Sequence, residues 1–274
     1  MPNLKDIIND TQFRFNKALG QNFITDTNLL DAIVADAGIC KDDVAVEIGT
    51  GGGTLTRALA NAAKRVISFE VDRNLQRVLA LSLQGVENAE VVFRDILKMS
   101  DGEVMDIIGC DRFKVVANLP YYITTPLVMR FLESDLAVES LTVMVQQEVA
   151  DRFVAKPNTA DYAAITLAIE SRGSARITRK VGRQNFYPVP NVDSAVVRID
   201  VDENKLDGED KALIHKLVRA AFSMRRKTLA NNLSSAFGID KAEATKRIEN
   251  AGFPPLVRGE ALSLEDFVKL SKAF

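Results

Sequence analysis

The sequence predicts an α/β protein with a mostly parallel sheet, followed by a small all-helical C-terminal region. Three observations carry this. Short apolar runs recur between residues 44 and 146, separated by segments of helical periodicity, and that alternation builds βαβ units. A further run, SAVVRIDV at 194–201, partly alternates apolar with polar residues as one more strand would. Beyond the polar stretch DENKLDGED every apolar pattern is helical.

TDTNLLDAIVADAG opens with capping residues and closes on Gly38, which predicts a helix. VAVEI (44–48) is a buried strand running into glycines, and TLTRALANAAKR after it spaces its apolar residues at i, i+3 and i+4. RVISFEVD (65–72) is the second strand, followed by the helical RNLQRVLALSL. EVVFRD (90–95), KVVAN (114–118) and LTVMVQ (141–146) complete the series. Helices are expected at roughly 209–222, 225–236, 240–250 and 263–273. The linker places the boundary between a first domain, 1–204, and a second, 205–274. There is no internal repeat and no low-complexity tract.

At 47% hydrophobic and 26% charged residues, the 274-residue chain is composed like a soluble globular protein with a core that needs no staples. Two cysteines, Cys40 and Cys110, suggest free thiols in a reducing compartment. A single histidine, His215, on a charged helix where it is expected to be exposed, makes a His/Cys metal cage improbable, and no metal is expected. The N-terminus MPNLKDIIND carries acids and lacks the apolar core of a signal peptide, and no run is long enough to span a bilayer. A cytoplasmic protein without a membrane partner is expected. The net charge of −2 is unevenly spread: residues 205–274 hold 13 Lys and Arg against 9 Asp and Glu, so the C-terminal part is the basic part.

The chemistry gathers at the strand ends. VEIGTGGGTLT joins the first strand to its helix, and Gly49, Gly51 and Gly53 allow a tight turn and close approach of a ligand. No Gly-Lys-Ser/Thr follows, so this is not a phosphate loop, and Thr54 breaks the dinucleotide pattern. Glu47, before the glycines, suits a cationic ligand without phosphate. Glu70 and Asp72 end the second strand, where an acid can accept both hydroxyls of a ribose, and Asp95 ends the third. Ribose, adenine and a sulfonium without phosphate describe S-adenosylmethionine.

At the end of the fourth strand stands NLPY, Asn118 to Tyr121. An exocyclic amino nitrogen on adenine is a poor nucleophile because its lone pair is delocalised into the ring. An acceptor from Asn118 and a carbonyl set by Pro120 can hold both its hydrogens and favour a pyramidal nitrogen, while Tyr121 stacks on the base. Such catalysis is orientation and electrostatics. Phe186, in FYPVP, suits a second stacking platform. Two basic runs offer phosphate contacts: SRGSARITRKVGR, with Arg172, Arg176, Arg179, Lys180 and Arg183, and RAAFSMRRKTLANNL, with Arg219, Arg225, Arg226 and Lys227. Leu229 and Leu233 in the second run are helix core.

Seven stretches in order, KALGQNFITD, EIGTGGGTLT, FEVD, NLPYYITTPLV, MVQQEVADR, FYPVPNVDSAVV and AAFSMRRKTLANNL, resemble the motifs of the ribosomal RNA adenine N6,N6-dimethyltransferases, specifically the small-subunit KsgA type. The resemblance implies a Rossmann-like, seven-stranded class I methyltransferase sheet with S-adenosylmethionine as cofactor. It implies cofactor contacts from Asn22, Ile24, Gly49, Gly51, Glu70, Asp95 and Asn118. It also implies a target site of Asn118, Leu119, Pro120, Tyr121 and Phe186. RNA contacts are expected, from the basic runs themselves, at Arg179, Lys180, Arg183, Arg225, Arg226 and Lys227. Thr50 stands where the family commonly has Pro. The expected reaction is dimethylation of N6 on two adjacent adenosines in a hairpin loop near the 3′ end of small-subunit ribosomal RNA, within a pre-assembled 30S-type subunit and by a monomer. A ribosome-assembly factor with secondary catalysis, a large-subunit methyltransferase conferring macrolide resistance and a DNA adenine methyltransferase are the alternatives. The intact acids and NLPY speak against a purely binding role, AAFSMRRKTLANNL against the resistance enzyme, and the basic helical region and FYPVP against a DNA enzyme.

Overall fold

The computed structural model describes residues 4–16, 19–224 and 226–274. The chain forms two compact units. Residues 1–150 and 176–201 make up one, and residues 151–175 and 202–274 the other.

In the first unit, α1 (Leu4–Asp10) and β1 (Phe23–Ile24) precede α2 (Thr27–Asp36), β2 (Val44–Ile48), α3 (Thr54–Ala62), β3 (Arg65–Phe69), α4 (Gln76–Ser82) and β4 (Ala89–Val92). Then come α5 (Asp101–Ile108), β5 (Phe113–Asn118), α6 (Thr124–Leu132) and β6 (Val138–Gln146). After α7 (Gln147–Phe153) and α8 (Ala164–Glu170), β7 (Gly173–Val181), β8 (Phe186–Tyr187) and β9 (Ser194–Val201) complete the strands. The main sheet has seven strands in the order β4-β3-β2-β5-β6-β9-β7. Neighbours from β4 to β6 are parallel, and β9 runs antiparallel to β6. The chain winds outward from β2 through β3 to β4, then crosses to the other side with β5. The gap between the carboxyl ends of β2 and β5 is therefore the topological switch point, where open α/β sheets bind ligands.

The local reasons are in the sequence. Asp26 caps α2 by accepting from the Asn28 and Leu29 N–H groups, and Gly38 follows that helix at φ +59°. α5 carries a full capping box between Ser100 and Glu103 and ends at Gly109 in the left-handed region. The central strands read as apolar runs because both faces are covered. Val46, Val66, Val115, Val116 and Val143 are fully buried, each contributing about 1.5–3 kcal/mol of apolar burial. A satellite cluster joins α1 to α4 and the turn before it through Leu4, Ile7, Ile8, Phe23, Leu75, Val78 and Leu79, with Phe13 stacked on Phe23 and Phe15 tilted against it.

The second unit has its own core. Tyr162, Leu167, Ile214, Leu217, Leu229, Leu233, Ile248 and Phe267 pack together, supplied by the turn before α8, by α8 itself and by α9 (Lys211–Ser223), α10 (Leu229–Phe237), α11 (Lys241–Asn250) and α12 (Leu264–Ser271). Residues 151–175, which the linear reading placed with the first domain, contribute Ala155, Tyr162 and Leu167 to this core. The Tyr162 hydroxyl donates to the Leu262 carbonyl at 2.9 Å.

Three local expectations are corrected. The helix expected from 225 starts at Leu229, after Thr228 in extended backbone, so Arg226 and Lys227 lie in the turn before it. Arg225 lies outside the described residues. His215 is half-buried rather than exposed, its Nε2 lying 3.1 Å from the Ser171 hydroxyl. The basic run at 173–181 is strand β7, so its side chains alternate between faces. Cys40 and Cys110 are free, and no helix of the described residues is long and apolar enough to cross a membrane.

Candidate active site

A cavity of about 380 Å³ opens at the switch point, within the range of small-molecule sites. Its wall holds Asn22, Ile24, Gly49, Gly51, Glu70, Asp95 and Asn118, together with Leu119, Pro120, Tyr121 and Phe186. The residues expected to hold the cofactor and those expected to hold the target base thus line one space. Asp72 does not line it. Its Oδ1 accepts from the Asn74 N–H at 3.0 Å and its Oδ2 from the Gln21 side chain at 2.7 Å.

The glycine turn is shaped for close approach. Gly49 and Gly51 sit at φ +81° and +52°, and a Cβ on Gly51 would lie 2.9 Å from the Phe23 ring. The Gly49 N–H donates to the Phe69 carbonyl at 2.8 Å, tying the end of β2 to the end of β3. Glu70 is set from three sides. Its Oε2 accepts the Gly51 N–H at 2.9 Å, and its Oε1 accepts the Val71 and Asp72 N–H groups at 2.8 Å each. A carboxylate offers about four acceptor positions, so one that receives these three N–H groups keeps a position for a ribose hydroxyl. Asp95 caps the turn after β4 through the Leu97 N–H, with the Lys98 ammonium 3.4 Å away.

Beneath the glycines lies Glu47, fully buried on β2. Its Oε2 accepts from the Thr56 hydroxyl at 2.5 Å and from the Ser68 hydroxyl at 2.6 Å, and Ser68 in turn meets Thr50 at 2.6 Å. Thr50 thereby anchors the turn by a hydrogen bond. Burial pushes the Glu47 carboxyl up to about 8 against the pull of the two hydroxyls, with the Glu70 carboxylate adding to the rise. Glu47 Oε1 has no partner among the described residues. A buried acid with an orphaned oxygen on a cavity wall fits a cationic ligand, and with Glu70, Asp95 and the open glycine turn it fits S-adenosylmethionine.

The target side is built by β5, β8 and β9. The Asn118 Nδ2 donates to the Asn22 carbonyl at 2.9 Å. Its Oδ1 is the side-chain acceptor that remains for a substrate. Pro120, at φ −55° and ψ 131°, turns the chain so that Tyr121 lines the cavity. The Tyr121 hydroxyl meets the buried Ser194 hydroxyl at 3.0 Å, and burial raises its pKa despite that bond. Phe186 pairs with Ile24 across the short β1–β8 ribbon, which sets the residue expected to meet the base beside one expected to meet the cofactor. The Tyr187–Pro188 peptide is cis.

The basic residues divide. Arg179 is held by Asp36 through two contacts of 3.2 Å, and Arg176 pairs with Asp200. Lys180, Arg183, Arg226 and Lys227 are exposed. The Arg183 guanidinium donates to the Asn191 carbonyl at 3.1 Å. Sequence reasoning did not single out Gln21, Thr56, Ser68 or Ser194. Gln21, Thr56 and Ser194 stand inside the motifs KALGQNFITD, EIGTGGGTLT and FYPVPNVDSAVV, but no local pattern points to their partners, Asp72, Glu47 and Tyr121, or to Glu47 as the partner of Ser68.

The profile of the family described as "Ribosomal RNA adenine dimethylase" matches residues 12–271. The protein named "Ribosomal RNA small subunit methyltransferase A" from Clostridioides difficile (strain 630) is 44% identical over 269 residues, covering 97% of this chain and 93% of that one. The protein of the same name from Bacillus licheniformis is 41% identical over 273 residues, covering 97% and 94%. Among solved structures, a dimethyladenosine transferase from Plasmodium falciparum superposes with a TM-score of 0.75 at 26% identity, covering 90% of this chain and 95% of that one. The 23S rRNA methyltransferase ErmE gives 0.69 at 26% identity, covering 92% and 98%.

Proposed function

The chain belongs to the ribosomal RNA adenine dimethylase family and is an S-adenosylmethionine-dependent methyltransferase, and on that premise we propose that it dimethylates N6 of two adjacent adenosines in a hairpin loop near the 3′ end of small-subunit ribosomal RNA. It acts as a monomer in the cytoplasm, on a pre-assembled 30S-type subunit. Residues 1–204 supply the catalytic part and the helices of 205–274 contribute RNA contacts, with 151–175 packed among those helices. The observation that carries the reading is the single cavity shared by Glu70, Asp95, Asn118, Tyr121 and Phe186 at the switch point. The small-subunit assignment draws its support from the 41–44% identity to the relatives named above.

S-adenosylmethionine, when bound, supplies a methyl group on a sulfonium. Gly49 and Gly51 would leave it room, Glu70 would accept a ribose hydroxyl, Asp95 would take a donor of the adenine, and Asn22 and Ile24 would close the near wall. The target adenine lies between Tyr121 and Phe186, which requires it to leave its stack. Asn118 Oδ1 and the Leu119 carbonyl accept the two N6 hydrogens, the Pro120 carbonyl being taken by the Ile123 N–H at 3.1 Å. Both acceptors strengthen as positive charge grows on the nitrogen, so they lower the barrier rather than merely bind. The methylated nitrogen is acidic enough to lose its proton to water. Lys180, Arg183, Arg226 and Lys227 contact phosphates.

The test is to incubate small subunits from cells lacking the protein with the purified protein and S-adenosylmethionine, then map N6-dimethyladenosine by mass spectrometry of RNA fragments. Two adjacent dimethylated residues near the 3′ end are expected. Methylation of large-subunit RNA instead, or none on either subunit, refutes the assignment.

A further inference from the structure

Gln21 sits in the segment leading to β1, and its side-chain amide is used at both ends. Its Oε1 accepts the Asn16 N–H at 2.8 Å and its Nε2 donates to Asp72 Oδ2 at 2.7 Å. Only one orientation of the amide satisfies both neighbours, because a backbone N–H can only donate and a carboxylate only accept. Asp72 is 5% exposed. Its Oδ1 takes the Asn74 N–H at 3.0 Å and the Asn74 side chain at 2.8 Å, and its own N–H donates to Glu70 Oε1 at 2.8 Å. Among the described residues, Gln21 is the partner of Asp72 Oδ2. The next residue, Asn22, accepts at its carbonyl from Asn118 Nδ2 at 2.9 Å. Two consecutive residues therefore grip the ends of β3 and β5 across the cavity mouth.

We propose that Gln21 is a positioning residue for cofactor binding: through Asp72 it holds the Glu70 carboxylate, and through the adjoining Asn22 it holds the amide of Asn118. The proposal rests on Glu70 being the acid that receives the cofactor. Without the Gln21 donor, Asp72 Oδ2 is an unpaired anionic oxygen in a buried turn, two residues from a second carboxylate. The turn relaxes to hydrate it, and the Val71 and Asp72 N–H groups that aim Glu70 shift with it. The carbonyl of Asn22 loses its fixed place in the same step, so the orientation of Asn118 loosens too.

The test exchanges donor and acceptor. Gln21→Glu sets a carboxylate against Asp72, whereas Gln21→Glu combined with Asp72→Asn restores a donor and an acceptor with their direction reversed. The probe is S-adenosylhomocysteine, titrated calorimetrically into the full chain without RNA, with urea unfolding run in parallel. Gln21→Glu is expected to raise Kd by about 10–100-fold, from the loss of a charge-assisted hydrogen bond. The double variant is expected to bind more tightly than either single variant. Should Gln21→Glu fail to fold, Gln21→Met keeps the size without the bonds and is expected to raise Kd by about 5-fold. Unchanged Kd in the single variants, with or without lower stability, overturns the proposal. A double variant no better than Gln21→Glu overturns it as well. Wild-type protein that takes up no S-adenosylhomocysteine overturns the cofactor reading of the cavity itself, a result distinguishable from both.

Discussion

Replacing Glu47 by Gln removes the ionisable group under the glycine turn while keeping its shape. In the folded chain the carboxyl holds its proton up to about pH 8, because burial and the nearby Glu70 carboxylate disfavour the charge more than Ser68 and Thr56 relieve it. The unfolded chain releases that proton near the ordinary value of 4.5. Below 4.5 both states are protonated and this group's contribution is fully present. Between 4.5 and about 8 the folded chain carries a proton that the unfolded chain has lost, and stability falls by about 1.4 kcal/mol per pH unit. Above about 8 the loss is complete. From pH 5 to pH 8 the group should cost on the order of 4 kcal/mol, or roughly 10 °C in the unfolding midpoint of the first unit. Gln presents the same acceptor to Thr56 and Ser68 and does not titrate. The assay is urea unfolding of the wild type and Glu47→Gln at pH 5, 6, 7 and 8, without cofactor. The two should be similarly stable at pH 5, and the variant should be clearly the more stable at pH 8. A stability difference that stays constant over this range refutes the reasoning, because the carboxyl would then titrate alike in both states.

Asn118→Ala should leave the fold intact and slow single-turnover methyl transfer by about 10²–10³, the scale of one transition-state acceptor; a wild-type rate at saturating cofactor would reduce the strand end to a turn. Tyr121→Phe and Ser194→Ala each remove the same hydroxyl contact, so both should lower the rate by a similar few-fold factor, and together no further than either alone. Tyr121→Ala, which also removes the ring, should cost more, and equal rates for the Phe and Ala variants would argue against stacking. Replacing Arg226 and Lys227 by Ala should flatten the salt dependence of small-subunit binding by about one unit of slope per lost phosphate contact, with cofactor affinity unchanged. An unchanged slope in filter binding would remove them from the RNA contacts.

What could be read from the sequence was whatever rests on chain-local logic. Glu70, Asp95 and Asn118 were legible because each closes an apolar run, and parallel topology sends all such ends to one edge. The strand β7 was read as a basic stretch because Arg176 and Lys180 alternate with Ile177 and Arg179, and the charges hide the pleat. Arg179 looked like a phosphate contact, but its partner Asp36 stands 143 positions earlier, beyond any local pattern. Gln21 gives no local sign of its role for the same reason, since Asp72 lies 51 positions on. Asp72 and Glu70 looked equivalent in FEVD, and only the turn that follows sends one into the cavity and spends the other on capping. His215 looked exposed because its neighbours on the helix are charged, while the serine it meets belongs to a segment assigned to the other domain.

The chain crosses between its two units three times, at 150/151, 175/176 and 201/202. The helical unit is therefore not a tail that heredity can trade by one crossover. A chimera joined at residue 204 would bring a relative's four C-terminal helices against this chain's own Ala155, Tyr162 and Leu167, and the Tyr162 hydroxyl would face a foreign carbonyl in place of that of Leu262. Shuffling the helical unit requires two inserts moved together, 151–175 and 202–274. In a lineage, substitutions on either insert constrain the other as if they were neighbours in the chain.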